Sequence, residues 1–170
     1  MEIRTVRNGK QVTVVYGEGQ DNNCLQSKEP PAPEFKQAFE NLALDYKTIL
    51  ANQLGVNPAK IEGFIQDHHV QFDKIHFVYN EDEETPASYD VWGHHEIVST
   101  GYSTPIQLSF LFGQEGSPDK AALAIIREAR EYAGGRRAQM TLWESAEEAD
   151  KARKAQAGDK DPAGDTPEAV

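Results

Sequence analysis

Hydrophobic residues in this chain follow two periods in a set order, and that order restricts the fold more than any single motif does. Three short runs alternate every second residue, and a long run then repeats every third or fourth. Three more alternating runs follow, and a second helical run closes the pattern. A period of two marks a strand with one buried face, and a period of 3.6 marks an amphipathic helix. The expected class is therefore α+β: an antiparallel sheet in βββα-βββα order, with two main helices packed on one face. Such an order invites the idea of a duplicated half, although no residue-level repeat links the two halves.

The individual runs support this order. Residues 2–7 place Ile3 on one face and Val6 nearer the other, and Asn8-Gly9 is a strong hairpin signal. In residues 11–17, Val12, Val14 and Tyr16 alternate against Gln11, Thr13 and Val15, and residues 23–28 return as a third strand with Cys24 and Leu25. Pro30-Pro31-Ala32-Pro33 stops this meander, and Pro33 suits the first turn of a helix, where its missing N–H costs nothing. Phe35, Phe39, Leu42, Tyr46 and Ile49 then step by four and three until Gly55, and Asn57-Pro58 opens a further short turn.

In residues 69–80, Val70 and Phe72 share one parity and Ile75, Phe77 and Tyr79 the other. That switch predicts a β-bulge at Asp73-Lys74. Residues 89–99 and 104–112 supply two more strands, the latter with Ile106, Leu108, Phe110 and Phe112 on one face. The last helix is expected to take Ser117 as N-cap, Pro118 as first residue and Asp119 in its first turn. Its apolar stripe is then Leu123, Ile126, Ala129 and Ala133, and Gly134-Gly135 ends it.

The 170 residues suit one domain, expected over residues 1–138. Residues 145–170 hold seven acidic and four basic residues, no aromatic residue, and Val170 as the one large aliphatic residue. Such a segment buries too little apolar surface to offset its ordering entropy, so a flexible acidic tail is expected, with a marginal helix at the capping box Ser145-Ala146-Glu147-Glu148. The formal charge of −11 argues against direct nucleic-acid binding and against a membrane surface, whose main attraction is to cations. No apolar run reaches the roughly 18 residues of a membrane span, and the N-terminal residues lack a signal-peptide pattern. Together with the single Cys24 this predicts a cytoplasmic protein.

Side chains able to carry chemistry are present without the spacing that chemistry needs. All five histidines fall between positions 68 and 95. Adjacent strand residues point to opposite faces, so His68-His69 and His94-His95 each offer one imidazole per face. A metal site from His76 with His94 or His95, helped by Asp90 or Glu96, is a weak candidate without an HxH or HExxH pattern. No GxSxG elbow or phosphate-binding glycine loop occurs. Cys24 reads as a small buried hydrophobe, and Glu81-Asp82-Glu83-Glu84 as a solvated loop. Arg127, Arg130, Arg136 and Arg137 form a candidate anion site, and dipole complementarity with pairing to Glu128 and Glu131 explains them equally well. No cofactor and no catalytic residue is expected. Sheet extension into a homodimer is open.

Residues 139–144 carry the sharpest signal. Gln139, Met140, Thr141, Leu142 and Trp143 give a glutamine, an aliphatic residue, a small polar residue, a leucine and an aromatic. This resembles the peptide by which DNA-replication and repair proteins dock on the bacterial sliding clamp, with Trp143 where Phe is more usual. The resemblance implies that Leu142 and Trp143 fill an apolar pocket while Gln139 satisfies backbone groups. The competing reading folds Met140, Leu142 and Trp143 back as a short edge strand. Gln107-Leu108-Ser109-Phe110-Leu111-Phe112 shares the pattern superficially, but its alternation belongs to a core strand.

As a whole, residues 1–143 resemble early-region proteins of tailed bacteriophages. The likeness rests on Asn8-Gly9, Pro31-Ala32-Pro33-Glu34-Phe35, the bulged Val70 to Ile75-His76-Phe77-Val78-Tyr79 strand, Thr104-Pro105-Ile106-Gln107-Leu108 and Arg137-Ala138-Gln139. It implies a role in DNA metabolism or host takeover in the bacterial host cell, and it brings no catalytic residues. The leading expectation is thus a non-enzymatic accessory protein that binds a replication or recombination protein, the clamp first. The alternative is a counter-defence or regulatory module that mimics nucleic acid or sequesters a phosphorylated small ligand.

Overall fold

The described residues form one six-stranded sheet, and its strand order is β3-β2-β1-β4-β5-β6 with every neighbouring pair antiparallel. The strands are β1 (Glu2–Asn8), β2 (Val12–Gly17), β3 (Asn23–Ser27), β4 (His68–Val78), β5 (Ser88–Ile97) and β6 (Tyr102–Leu111). Between the two meanders lie α1 (Pro33–Gln53), a 3₁₀ turn (Pro58–Lys60) and α2 (Ile61–Asp67), and α3 (Asp119–Ala133) follows β6. The computed structural model describes residues 1–81 and 84–135. The fold is α+β, and it follows the βββα-βββα order, with α2 as a short addition.

The strand order reads third, second, first from one edge and third, second, first from the other, as two equivalent meanders joined through their first strands would give. That junction is short. Thr5 pairs with His76, Val6 with Ile75 and Arg7 with Lys74. Each meander also carries one register shift, between Ile3 and Thr5 in β1 and between Phe72 and Lys74 in β4. The second is the bulge expected from the parity switch, with Asp73 as the extra residue. The β1–β2 hairpin forms as well, with Gly9, Lys10 and Gln11 connecting the paired Asn8 and Val12. Pro105 lies in β6, an edge strand where a residue without an N–H breaks no inner ladder.

One face of the sheet is buried under the helices. Ile3, Val6, Val14, Ile75, Tyr89 and Val91 are fully buried there, against Phe35, Ala38, Phe39 and Leu42 of α1 and Ala122, Ile125, Ile126 and Ala129 of α3. The rings of Phe35 and Tyr132 tie the two helices together at 5.6 Å, and Tyr46 meets Phe72 edge-on at 5.7 Å.

Four local expectations need correction. Ile3 and Val6 share the buried face, because the register shift between Ile3 and Thr5 offsets their odd spacing. Cys24 is exposed, because it pairs with Val15 on the helix-free side of the sheet while Leu25 takes the inward position. Ser117 does not cap α3: Pro118 holds the cap position without a side-chain bond, and Asp119 opens the helix. The Asp119 carboxylate instead accepts the Tyr89 hydroxyl at 3.1 Å and the Gly113 N–H at 2.8 Å, so it joins α3 to the sheet. Burial and this carboxylate push the Tyr89 phenol well above its ordinary range. The buried stripe of α3 keeps Ile126, Ala129 and Ala133 but not Leu123. Leu123 is 46% exposed, whereas Ala122, Ile125, Ala129 and Tyr132 face inward. Tyr132 decides the buried side, since its ring packs on Phe35 and its hydroxyl donates to the Glu29 carbonyl at 2.7 Å.

Gly93 of β5 faces the bulge, and a Cβ there would lie 2.0 Å from the Gln71 carbonyl oxygen and 2.9 Å from the Phe72 Cα. Both are backbone atoms that cannot swing aside. Gly93→Ala is expected to destabilise the fold by about 3 kcal/mol, read as a lower midpoint in chemical denaturation. An unchanged midpoint would show that the bulge does not require close approach.

Candidate functional site

The pleat separates the histidines as adjacent strand residues must be separated. His68 and His95 lie on the helix side at one end of the sheet, where His68 Nδ1 and His95 Nε2 are 2.7 Å apart and share a hydrogen bond. The His68 ring stacks on Phe64 of α2 with centroids 3.9 Å apart. Next to them, the Asp67 carboxylate accepts the Ser99 N–H at 2.7 Å and the Ser99 hydroxyl at 2.6 Å, clamping the start of β4 to the β5–β6 turn. Those bonds hold the Asp67 carboxyl below the usual carboxylate range. Burial, and after it the neighbouring His68, holds His95 below the ordinary imidazole range.

His76 lies on the helix-free side, where its Nδ1 is 2.9 Å from the Thr5 hydroxyl and its strand partner is Asp90. His94 shares that side but sits four residues along β5 from Asp90, roughly 13 Å away at strand rise. His95 points the other way, so His76, His94 and His95 are not brought together. Among the described residues no group of three or more His, Cys, Asp or Glu side chains can hold a metal ion.

The arginines are likewise engaged locally. Arg127 pairs with the buried Glu128 at 3.2 Å, and Arg130 Nε donates to the Met1 carbonyl at 3.2 Å. Arg136 and Arg137, the peptide Gln139 to Trp143, the acidic tail, and Asp82 and Glu83 lie outside the described residues.

The sheet face away from α1 and α3, helix-free among the described residues, contains an arrangement that reading the strands one at a time missed. Gln26, Thr13, Arg7, Lys74, Trp92 and Gln107 are successive cross-strand partners, one from each strand, in a row across the whole sheet. Their neighbours along the strands, Val12, Val14, Val6, Ile75 and Val91, are buried on the opposite face. Lys74 Nζ lies 4.1 Å from the centroid of the Trp92 ring, a cation–π contact. Beside this row a groove runs toward the β1–β2 connection, and its walls include Arg7, Lys10, Lys28 and Lys74 with Asp73 as the one carboxylate. None of these four cations forms an ion pair among the described residues. A parallel row of Thr5, His76, Asp90 and Ser109 is stitched by the Thr5–His76 bond and by a Ser109 hydroxyl that donates to Asp90. The signal that could have found the groove was the polar parity of Arg7, Thr13, Lys74 and Trp92, but their alignment depends on the β1–β4 register.

Comparison with protein-family models, with curated proteins and with solved structures finds no match.

An imidazole whose protonation is disfavoured in the fold binds fewer protons there than in the unfolded chain. The contribution of neutral His95 is therefore complete above its ordinary value near ~6.5 and declines as pH falls through it. Denaturation midpoints measured between about pH 7.5 and 5.5 should fall more steeply for the parent protein than for His95→Gln. Parallel curves would show that His95 does not titrate against folding.

Proposed function

We propose that this chain is a non-enzymatic accessory protein of a tailed bacteriophage that docks on a replication protein. The bacterial sliding clamp is the partner and Gln139-Met140-Thr141-Leu142-Trp143 the docking peptide. The position of that peptide in the chain carries the reading. The chain divides into two units, Met1–Ala138 and Gln139–Val170, so the pattern begins at the boundary between them. Among the described residues the hydrophobic core runs from Ile3 to Tyr132 with Ala133 packed against it, and every buried side-chain nitrogen or oxygen has a hydrogen-bond partner.

Peptide-in-groove recognition concentrates its energy in a few anchors, and a Leu-Trp pair preceded by a glutamine supplies two apolar anchors and one polar one. The alternative, sequestration of a phosphorylated ligand at the arginines, is weakened because Arg127 and Arg130 already have partners in Glu128 and the Met1 carbonyl. Nucleic-acid mimicry draws on the chain's acidic surplus alone.

Titration of the full chain against purified bacterial sliding clamp tests the proposal. Binding is expected, and Leu142→Ala together with Trp143→Ala should weaken it about a hundredfold or more, since such anchors each contribute roughly 2 kcal/mol. Absence of binding, or affinity indifferent to both substitutions, overturns the reading.

A further inference from the structure

The chain has 28 acidic and 17 basic residues, yet among the described residues the groove on the sheet face away from α1 and α3 has four cations against one carboxylate. Net charge describes the molecule seen from a distance. At contact range, within a Debye length of roughly 8 Å at physiological salt, the groove presents its own sign. Arg7, Lys10 and Lys28 are exposed, and Lys74 is half-buried with its ammonium over Trp92. Unlike Arg127, these cations are not neutralised by a carboxylate within ion-pair distance among the described residues.

We propose that this face binds single-stranded nucleic acid along the row Gln26, Thr13, Arg7, Lys74, Trp92 and Gln107. Phosphates engage Arg7, Lys74, Lys10 and Lys28, Trp92 stacks a base, and the amides of Gln26 and Gln107 hydrogen-bond base edges at the two ends. The row makes five steps of ~4.8 Å, about 24 Å in all, a reach that suits a short single-stranded segment. An open antiparallel sheet with an aromatic on its free face is a platform on which unstacked bases can lie, and stacking tolerates any base because every base has a π-face. A single strand is favoured over a duplex for an electrostatic reason. A duplex would bring a second line of phosphates against the acidic remainder of the molecule, whereas one strand can be matched by the cationic strip.

The Lys74–Trp92 contact gives the site a built-in exchange. Lys74 gives up the ring for a phosphate, and the uncovered indole face accepts a base. Nothing in this site draws on the exit peptide, so it stands or falls separately from the docking reading.

The test uses the full chain and a fluorescent oligothymidylate of about 12 nucleotides, with a blunt duplex of equal length and a polyglutamate peptide as rival probes. Single-strand binding should weaken with salt with a log–log slope of about −3, at roughly −0.7 for each of four phosphate contacts. Arg7→Glu with Lys74→Glu should lower affinity at least tenfold and flatten the slope. Lys10→Glu with Lys28→Glu, two exposed positions outside the strands, should do the same and guards against a folding defect in the first pair. In a Trp143→Phe background the remaining Trp92 fluorescence should be quenched on binding. Leu142→Ala with Trp143→Ala should leave the oligonucleotide affinity unchanged. The proposal is overturned if the oligonucleotide does not bind, if the duplex or the polyglutamate binds as well or better, or if both charge-reversal pairs bind like the parent.

Discussion

The pairing of β1 with β4 is the contact on which the rest of the structure depends. It consists of three residue pairs, and its centre, Val6 opposite Ile75, is fully buried. Either meander alone would be a three-stranded sheet with one apolar face, and a lone meander of that size is at the lower limit of independent stability. Joined at their first strands, the two make a sheet wide enough for α1 and α3 to lie side by side and close one core. The same three pairs set the other face, because Arg7 and Lys74 are themselves a partnered pair.

Around that junction the molecule uses irregularities to keep the alternation correct. The register shift after Ile3 lets Ile3 and Val6 both face the helices although their spacing is odd, and the extra Asp73 does the same for Phe72 and Ile75. Gly93 allows the bulged strand to approach its neighbour. The last helix is then held by polar contacts that its own periodicity does not reveal: Asp119 to Tyr89 and Gly113, and Tyr132 to the Glu29 carbonyl. The Tyr89 and Tyr132 contacts join residues 30 and 103 apart along the chain, so they stabilise the assembled fold and not an isolated element.

Function divides along similar lines. The docking reading is local, because a linear peptide carries its recognition in consecutive residues and needs from the fold only a place to leave it. The nucleic-acid reading is distributed, because its six residues come from six strands. The two are compatible in one molecule, since a protein held at a replication site by its exit segment would meet single strands there with its open face. On the nucleic-acid reading, the acidic remainder would confine such contacts to the groove and limit non-specific attachment to duplex.

By itself the sequence determined the class and order of the elements, the bulge in β4, the proline start of α1 and the stop at Gly55, because these follow from periodicity and backbone chemistry within a few neighbouring residues; the register shift in β1 that turns Ile3 and Val6 to one face was not legible in it. It also determined that the paired histidines split between faces, since the pleat allows nothing else. Only the tertiary structure decided which side of α3 is buried, where Leu123 lost to Tyr132, and which way Cys24 points. It alone placed Arg7 beside Lys74 and Lys74 over Trp92. For Cys24 and α3 the reason is which side the assembled core covers, and for Arg7 beside Lys74 it is strand register. A strand's alternation states which residues share a face, but the register between strands 67 or more residues apart is set by how two apolar surfaces meet under the helices, and that is a property of the whole fold.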